Sequence, residues 1–386
     1  MNYCINRSNV WEESIAIRND AMMPNQTNTL RVGVIGTGAF AEQCHLPGLQ
    51  SHPQAEVVAI CGRRSERVRS LADRFNVPAV HTDYRELCAR SDLDAITIAT
   101  VNSEHAGQAI AAFAAGKHVF CEKPMATSVT HARQMLHAAE MSGNIHQMAF
   151  TYRYLYGVQE LRRRVQCGDI GVPHHLRVHY NSWEGLQLHS ASVVGFRSKA
   201  ALAGGGVLYD VGSHLFDLAR FMFGPIEAVT GFSQHIPRRI SGSRKGIKGV
   251  DTDDLATAWF RHKNGVHGQW FASRVTPSHG EKAHIEVVGH KGALRASLSR
   301  GSVDVLRIST PARPEWKELP LPEEAQNPSP SCLGTMMRSF VDACLRGKLD
   351  GNVDASFYDG LAAQCAIAAV TKAAAQLSWV RLEKEM

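Results

Sequence analysis

No two of the nine cysteines in this 386-residue chain stand at C-x-x-C spacing; they fall at 4, 44, 61, 88, 121, 167, 332, 344 and 365. That absence, the odd count and the placement of several inside apolar runs argue against a disulfide scaffold or a zinc cluster. They favour packed thiols in a reduced, cytoplasmic protein without metal. No run of about 18 apolar residues is present to span a membrane. Residues 1–28 carry Arg7 and Arg18 but no continuous apolar stretch, which makes a poor secretory signal. This extension fits a loose tail, a start-site artefact with Met22 or Met23 as alternative starts, or an arm wrapping a neighbouring subunit. No internal repeat is found. A strong charge bias is also missing. The net charge of +6 is scattered, so it suits an anionic ligand such as a phosphorylated cofactor and does not point to nucleic acid.

What is present is ordinary globular material, 44% apolar and 20% charged, long enough for two domains. From Leu30 to Phe150 short apolar runs alternate with helical periods. Strands are expected at 30–35, 56–61, 79–81, 95–99, 119–121 and 146–150, with helices at 40–51, 65–75, 84–90, 105–115 and 129–142. That alternation predicts an α/β fold with a parallel sheet covered on both faces. After Tyr154 the character changes. A helix at 159–166 and one at 210–223 accompany strand-like runs at 174–181, 227–232, 255–261, 266–273, 284–289 and 293–297. Asn264-Gly265 marks a hairpin between two of these runs. This half predicts a mostly antiparallel sheet with one open face, a surface suited to homodimer or homotetramer contacts. Residues 311–330 are proline-rich and read as a loop, and 332–346 and 355–377 as helices. The expected division is an extension at 1–28, a dinucleotide-binding domain at 29–152 and a substrate and oligomerisation domain at 153–386.

Gly36-x-Gly38-x-x-Ala41 follows the first strand and opens a helix. Gly36 permits a tight turn, Gly38 lets backbone approach a pyrophosphate, and Ala41 allows close packing; Thr37, Ala39 and Phe40 complete the loop. The end of the second strand lacks the carboxylate that would bond the ribose 2′-hydroxyl of NAD. It has Cys61-Gly62-Arg63-Arg64 instead, and two guanidiniums can bind a 2′-phosphate. NADP(H) is therefore favoured over NAD(H). Thr100, Asn102 and His105 belong to the loop after the fourth strand, where a cofactor cleft is commonly lined, although His105 also suits a helix-capping role.

Cys121-Glu122-Lys123-Pro124 leaves the sheet at its carboxyl edge. Lys123 can face a nicotinamide ring and polarise a hydroxyl there, and Glu122 can hold the cofactor ribose or tune the ammonium. Downstream, Gly204-Gly205-Gly206 precedes Asp210 and His214. These two are four residues apart and so share a helix face near its amino end. An imidazole near neutrality can take a proton from a hydroxyl, and the aspartate can orient substrate or imidazole. A metal held by Asp210 and His214 lacks an obvious third ligand. The basic run 238–246 reads as a solvated loop or as a lid over an anionic substrate.

Together these residues resemble the Gfo/Idh/MocA family over nearly all of residues 30–385. The resemblance rests on Gly36–Ala41, Glu122-Lys123-Pro124 and the glycine run with Asp210, His214 and Asp217. It implies an amino-terminal Rossmann domain, a carboxyl-terminal domain with a large open sheet, and hydride transfer at a sugar, cyclitol or related alcohol or carbonyl carbon. It carries catalytic roles to Lys123, Asp210 and His214, and a place near the nicotinamide to Tyr152 and Arg153. Phe196-Arg197 stands where relatives often have Trp-Arg, and Val101 replaces a frequent proline. Trp183, Tyr152 and Arg197 are weaker substrate contacts. Two other readings remain: a redox-neutral enzyme that keeps NAD(P) bound and acts on a glycoside, and a non-catalytic cofactor sensor, which would have no need of the acid–base set.

Overall fold

The computed structural model describes residues 29–182, 195–237, 250–278, 283–298, 305–322 and 331–382. The extension at 1–28, Trp183 and the basic run 238–246 lie outside them. In the first half six short strands form one sheet: β1 (Leu30–Ile35), β2 (Ala55–Cys61), β3 (Ala79–His81), β4 (Ala95–Ile98), β5 (His118–Cys121) and β6 (His146–Met148). The order is β3-β2-β1-β4-β5-β6 and every pairing is parallel. Strands such as β4, buried at all four positions, need cover on both faces, and the alternating helices supply it. The order reverses between β1 and β4, so the crevice for a ligand opens beyond the carboxyl ends of those two strands.

The helix expected at 40–51 is built in two parts: a π-helical turn, Ala41–His45, then α1 (Leu46–Gln50). Next come α2 (Ser65–Phe75), α3 (Tyr84–Cys88), α4 (His105–Ala114) and α5 (Val129–Ser142). Asp83 caps α3 and Ser128 caps α5 by accepting backbone N–H bonds.

The second half starts with α6 (Tyr156–Cys167) and β7 (Pro173–Asn181). Short α7 (Ala200–Ala203) and α8 (Val207–Asp210) lead into α9 (Gly212–Phe223). The single helix expected at 210–223 is thus divided at Val211, and Asp210 ends α8. Seven strands follow: β8 (Ile226–Gln234), β9 (Leu255–His262), β10 (His267–Ser273), β11 (Ala283–Gly289), β12 (Gly292–Ser297), β13 (Leu306–Thr310) and β14 (Arg313–Leu319). Then come α10 (Cys332–Arg346), α11 (Phe357–Gln376) and β15 (Val380–Arg381). The nine-stranded order is β14-β13-β12-β11-β7-β10-β9-β8-β15, and only β7–β10 is parallel.

The sequence analysis reads 311–330 as loop, yet residues 313–319 form β14, paired antiparallel with β13. As an outermost strand it tolerates Pro314, and its charged residues blunt the exposed edge. One face of this sheet packs on α6, α9 and α11. The other displays Phe232 and Trp259, each about half exposed, and a stacked row of Phe271, His179 and His284.

Candidate active site

The phosphate-binding loop comes first. Gly36 has φ +130°, and a Cβ there would lie 2.3 Å from the Ala99 carbonyl oxygen, so the β1 and β4 loops touch only because the residue is glycine. A Cβ at Gly38 would meet nothing within 4 Å, which leaves that backbone bare to a cleft of about 810 Å³. Gly36, Thr37, Gly38, Arg63, Arg64, Thr100 and Phe196 all line the cleft. Arg63 and Arg64 are exposed. The bare loop and the two guanidiniums fit a dinucleotide.

The other loop residues are placed differently. Asn102 is buried and donates Nδ2–H to the Ala203 carbonyl at 2.8 Å, tying the β4 loop to α7. His105 is fully buried, and burial lowers its pKa. Its two ring nitrogens approach the carbonyls of Pro124 (3.0 Å) and Thr100 (3.4 Å), so it joins two loops at the cleft floor; a neutral ring donates to one of them. Glu122 is buried with His45 at 3.3 Å and faces that ring, not the open cleft. Burial pushes its carboxyl up, but His45 and Lys123 outweigh that and hold it below its usual value.

Lys123 reaches across to the second half. Its Nζ donates to Asp210 Oδ1 at 2.6 Å and to the Asp210 carbonyl at 3.1 Å. The division of the helix at Val211 leaves that carbonyl turned toward the ammonium. Asp210 also receives Arg274, from the end of β10, and Arg197 Nε lies 3.5 Å from its Oδ2. Burial pushes the Asp210 carboxyl up, but Lys123, Arg274 and Arg197 together hold it well below the carboxylate range. Burial lowers the Lys123 pKa; Asp210 opposes this and Arg197 adds to it. The three glycines let the chain before α8 pack closely against Asp253 and Tyr209. A Cβ at Gly206 would lie 1.8 Å from the Asp253 carbonyl oxygen, and Gly204 adopts φ +83°. Asp253 then accepts the N–H groups of Gly206 and Leu208 at 2.7 Å each, fixing the start of α8.

His214 sits on α9, buried, with the Tyr152 ring 4.6 Å away at 34° and the Phe150 ring edge-on at 5.9 Å. Tyr152 is therefore a wall of the imidazole pocket. Arg153 does not line the dinucleotide cleft. Its guanidinium donates to both oxygens of Asp217, at 2.9 and 2.6 Å, and to the Asp354 carbonyl, and it pairs with Asp359 at 3.0 Å. The cofactor role expected for Arg153 is corrected to that of a buried clamp. Arg274, which no sequence motif marks, joins this candidate site. It lies 64 residues from Asp210, and only the pairing of β10 into the sheet brings them together. No group of three or more potential metal-ligating side chains is assembled among the described residues.

A parallel sheet with a bare glycine loop at its switch point, packed against an open-sheet half whose Asp210 receives Lys123, defines a two-domain dinucleotide-binding oxidoreductase. The comparisons give the family. Residues 30–150 match the oxidoreductase family with an NAD-binding Rossmann fold, and residues 158–295 match the GFO/IDH/MocA C-terminal domain. The chain belongs to the Gfo/Idh/MocA family of oxidoreductases. Levoglucosan dehydrogenase of Pseudarthrobacter phenanthrenivorans is 29% identical, over 91% of this chain and 97% of its own length. D-apiose dehydrogenase of Paraburkholderia graminis is 28% identical over 81% of this chain and 80% of its own. Levoglucosan dehydrogenase solved with NADH and levoglucosan superposes with a TM-score of 0.81 at 26% identity, covering 92% of this chain and all of the other.

Proposed function

We propose that this protein transfers a hydride between a nicotinamide dinucleotide and a hydroxyl-bearing carbon of a sugar or cyclitol. The observation that carries the reading is the 2.6 Å contact of Lys123 Nζ with Asp210 Oδ1, joining the two halves four residues before a buried His214. The relatives named above act on sugars and agree with it. The glycine loop Gly36–Ala41, with Thr100, would hold the dinucleotide, which supplies hydride exchange with a substrate C–H bond. This chain's residues handle the proton and the charge. His214 takes the hydroxyl proton, and Lys123 stabilises the developing alkoxide. Asp210 keeps Lys123 in place and orients an adjacent hydroxyl. Arg63 and Arg64 favour NADP(H), with NAD(H) also usable.

The open face of the nine-stranded sheet, with Trp259 and Phe232 exposed on it, is the proposed homodimer surface, and the cytoplasm the proposed compartment. The test of function is absorbance at 340 nm with NADP⁺ and with NAD⁺ over a sugar and cyclitol panel, with carbon-bound deuterium traced into the reduced cofactor. Deuterium appearing there supports the reading; no reduction over the whole panel with either cofactor rejects it.

A further inference from the structure

The site gathers more positive charge than its own carboxylate offsets. Lys123, Arg197 and Arg274 all point at Asp210, three cations on one anion. The neighbouring acids are committed elsewhere. Asp253 holds the start of α8, and Asp251 accepts the Ala200 N–H at 2.6 Å. Asp254 accepts the Ile236 N–H and lies 3.5 Å from His235; Glu122 is paired with His45 and its charge acts on Lys123, leaving Arg197 and Arg274 as the cations it does not reach.

Asp210 is one carboxylate met by three cations. Like charges brought together in a partly buried cleft repel one another unless a further anion joins them. The two arginines are also not consumed by Asp210. A guanidinium has five N–H donors, and among the described residues Asp210 is the only side-chain carboxylate that either one meets. The Arg197 side chain is 44% exposed and lies over the ring of Phe196, which lines the dinucleotide cleft. Its free edge therefore borders the place where a substrate meets the cofactor.

We propose that the substrate carries an anionic oxygen group, a carboxylate or a phosphate ester, that docks on Arg197 and Arg274 beside the reacting hydroxyl. This rests on the dehydrogenase reading above and narrows it, from neutral sugars to sugar acids or sugar phosphates. The planar forks match either oxyanion with paired hydrogen bonds, which a neutral hydroxymethyl group cannot return.

The test compares matched sets on gluco, galacto and manno rings: the parent sugar, its 6-uronate and its 6-phosphate. Binding to the full-length, NADP⁺-loaded protein is measured by calorimetry, and turnover separately at 340 nm. In at least one set a charged member should bind ten times or more tighter than its neutral parent, and uronate against phosphate identifies the group. Arg274→Met should cut that ratio at least tenfold. Arg274→Lys, which keeps the charge without the fork, should lose part of it. Raising NaCl should weaken the charged ligand alone, a readout that needs no variant. Equal binding of charged and neutral members in every set, or no measurable binding of any charged member, overturns the proposal. Charge-selective binding without hydride transfer would instead break the dehydrogenase reading and leave the anion site standing.

Discussion

Two aspartates seven residues apart, Asp210 and Asp217, sit in opposite electrostatic company. Asp210 is one carboxylate among three cations at the cleft. Asp217, fully buried, shares the guanidinium of Arg153 with a second, partly exposed carboxylate, Asp359, and Arg220 acts on both from nearby. The first cluster keeps its acid ionised and holds positive charge in reserve. In the second, burial and the neighbouring Asp359 raise the Asp217 pKa to about 6, with Arg153 and Arg220 opposing. Arg153 belongs to the turn that also carries Tyr152 against His214, so the interior cluster clamps the wall of the imidazole pocket.

The contrast breaks most visibly in turnover. Lys123→Ala or His214→Ala should lower kcat by about 10²–10⁴-fold, the usual weight of a proton-transfer group, while the dissociation constant of the cofactor stays within a few-fold. Wild-type turnover in both variants removes the chemical half of the comparison. The interior cluster should instead answer in stability. Arg153→Met leaves the buried Asp217 and the partly exposed Asp359 without their paired cation and should cost about 3–5 kcal/mol in urea unfolding. Arg274→Met, whose loss leaves Asp210 with Lys123 and Arg197, should cost no more than about 1.5 kcal/mol. Equal losses would mean that both clusters are structural.

The two aspartates also differ in the sign of their pH dependence. Asp217 has a raised folded pKa, so its contribution to stability is complete below about pH 4 and is lost as pH rises to about 6. Asp210 has a depressed one, so its contribution is present above about pH 4 and lost as pH falls. Asp217→Asn should therefore gain on the wild type by roughly 1–3 kcal/mol between pH 4 and pH 7 in urea melts. A flat or falling difference would contradict the assignment of charge. The smallest effect is expected at the cofactor end: Arg64→Ala, with Arg63→Ala beside it, should raise KM for NADP⁺ about tenfold and leave KM for NAD⁺ nearly unchanged.

Much of this was legible because it is local. Buried parallel strands appear as apolar runs, and Gly36–Ala41 and Glu122-Lys123-Pro124 declare themselves by position after a strand. What failed depends on distance or on context. Arg153 was placed near the nicotinamide only by the family resemblance of the Tyr152-Arg153 pair; its carboxylates come from α9 and α11, and nothing in the local sequence shows where the guanidinium turns. Arg274 was invisible because only the strand order of the second sheet brings it to Asp210. The strand at 313–319 was hidden by Pro314 and alternating charge, features that mark a loop in isolation and a sheet edge in place. The division at Val211 follows from tertiary contacts of the Asp210 carbonyl that no helical periodicity encodes.

The central claim is that Lys123 and His214 act on one hydroxyl of a bound sugar derivative. A crystal structure of the Asp210→Asn protein would not test it; that of the wild type with NADP⁺ and the tightest ligand from the charged and neutral sets would. One ligand hydroxyl is expected within hydrogen-bond distance of both Lys123 Nζ and a His214 ring nitrogen. A ligand held in the cleft with no hydroxyl near either nitrogen would contradict it.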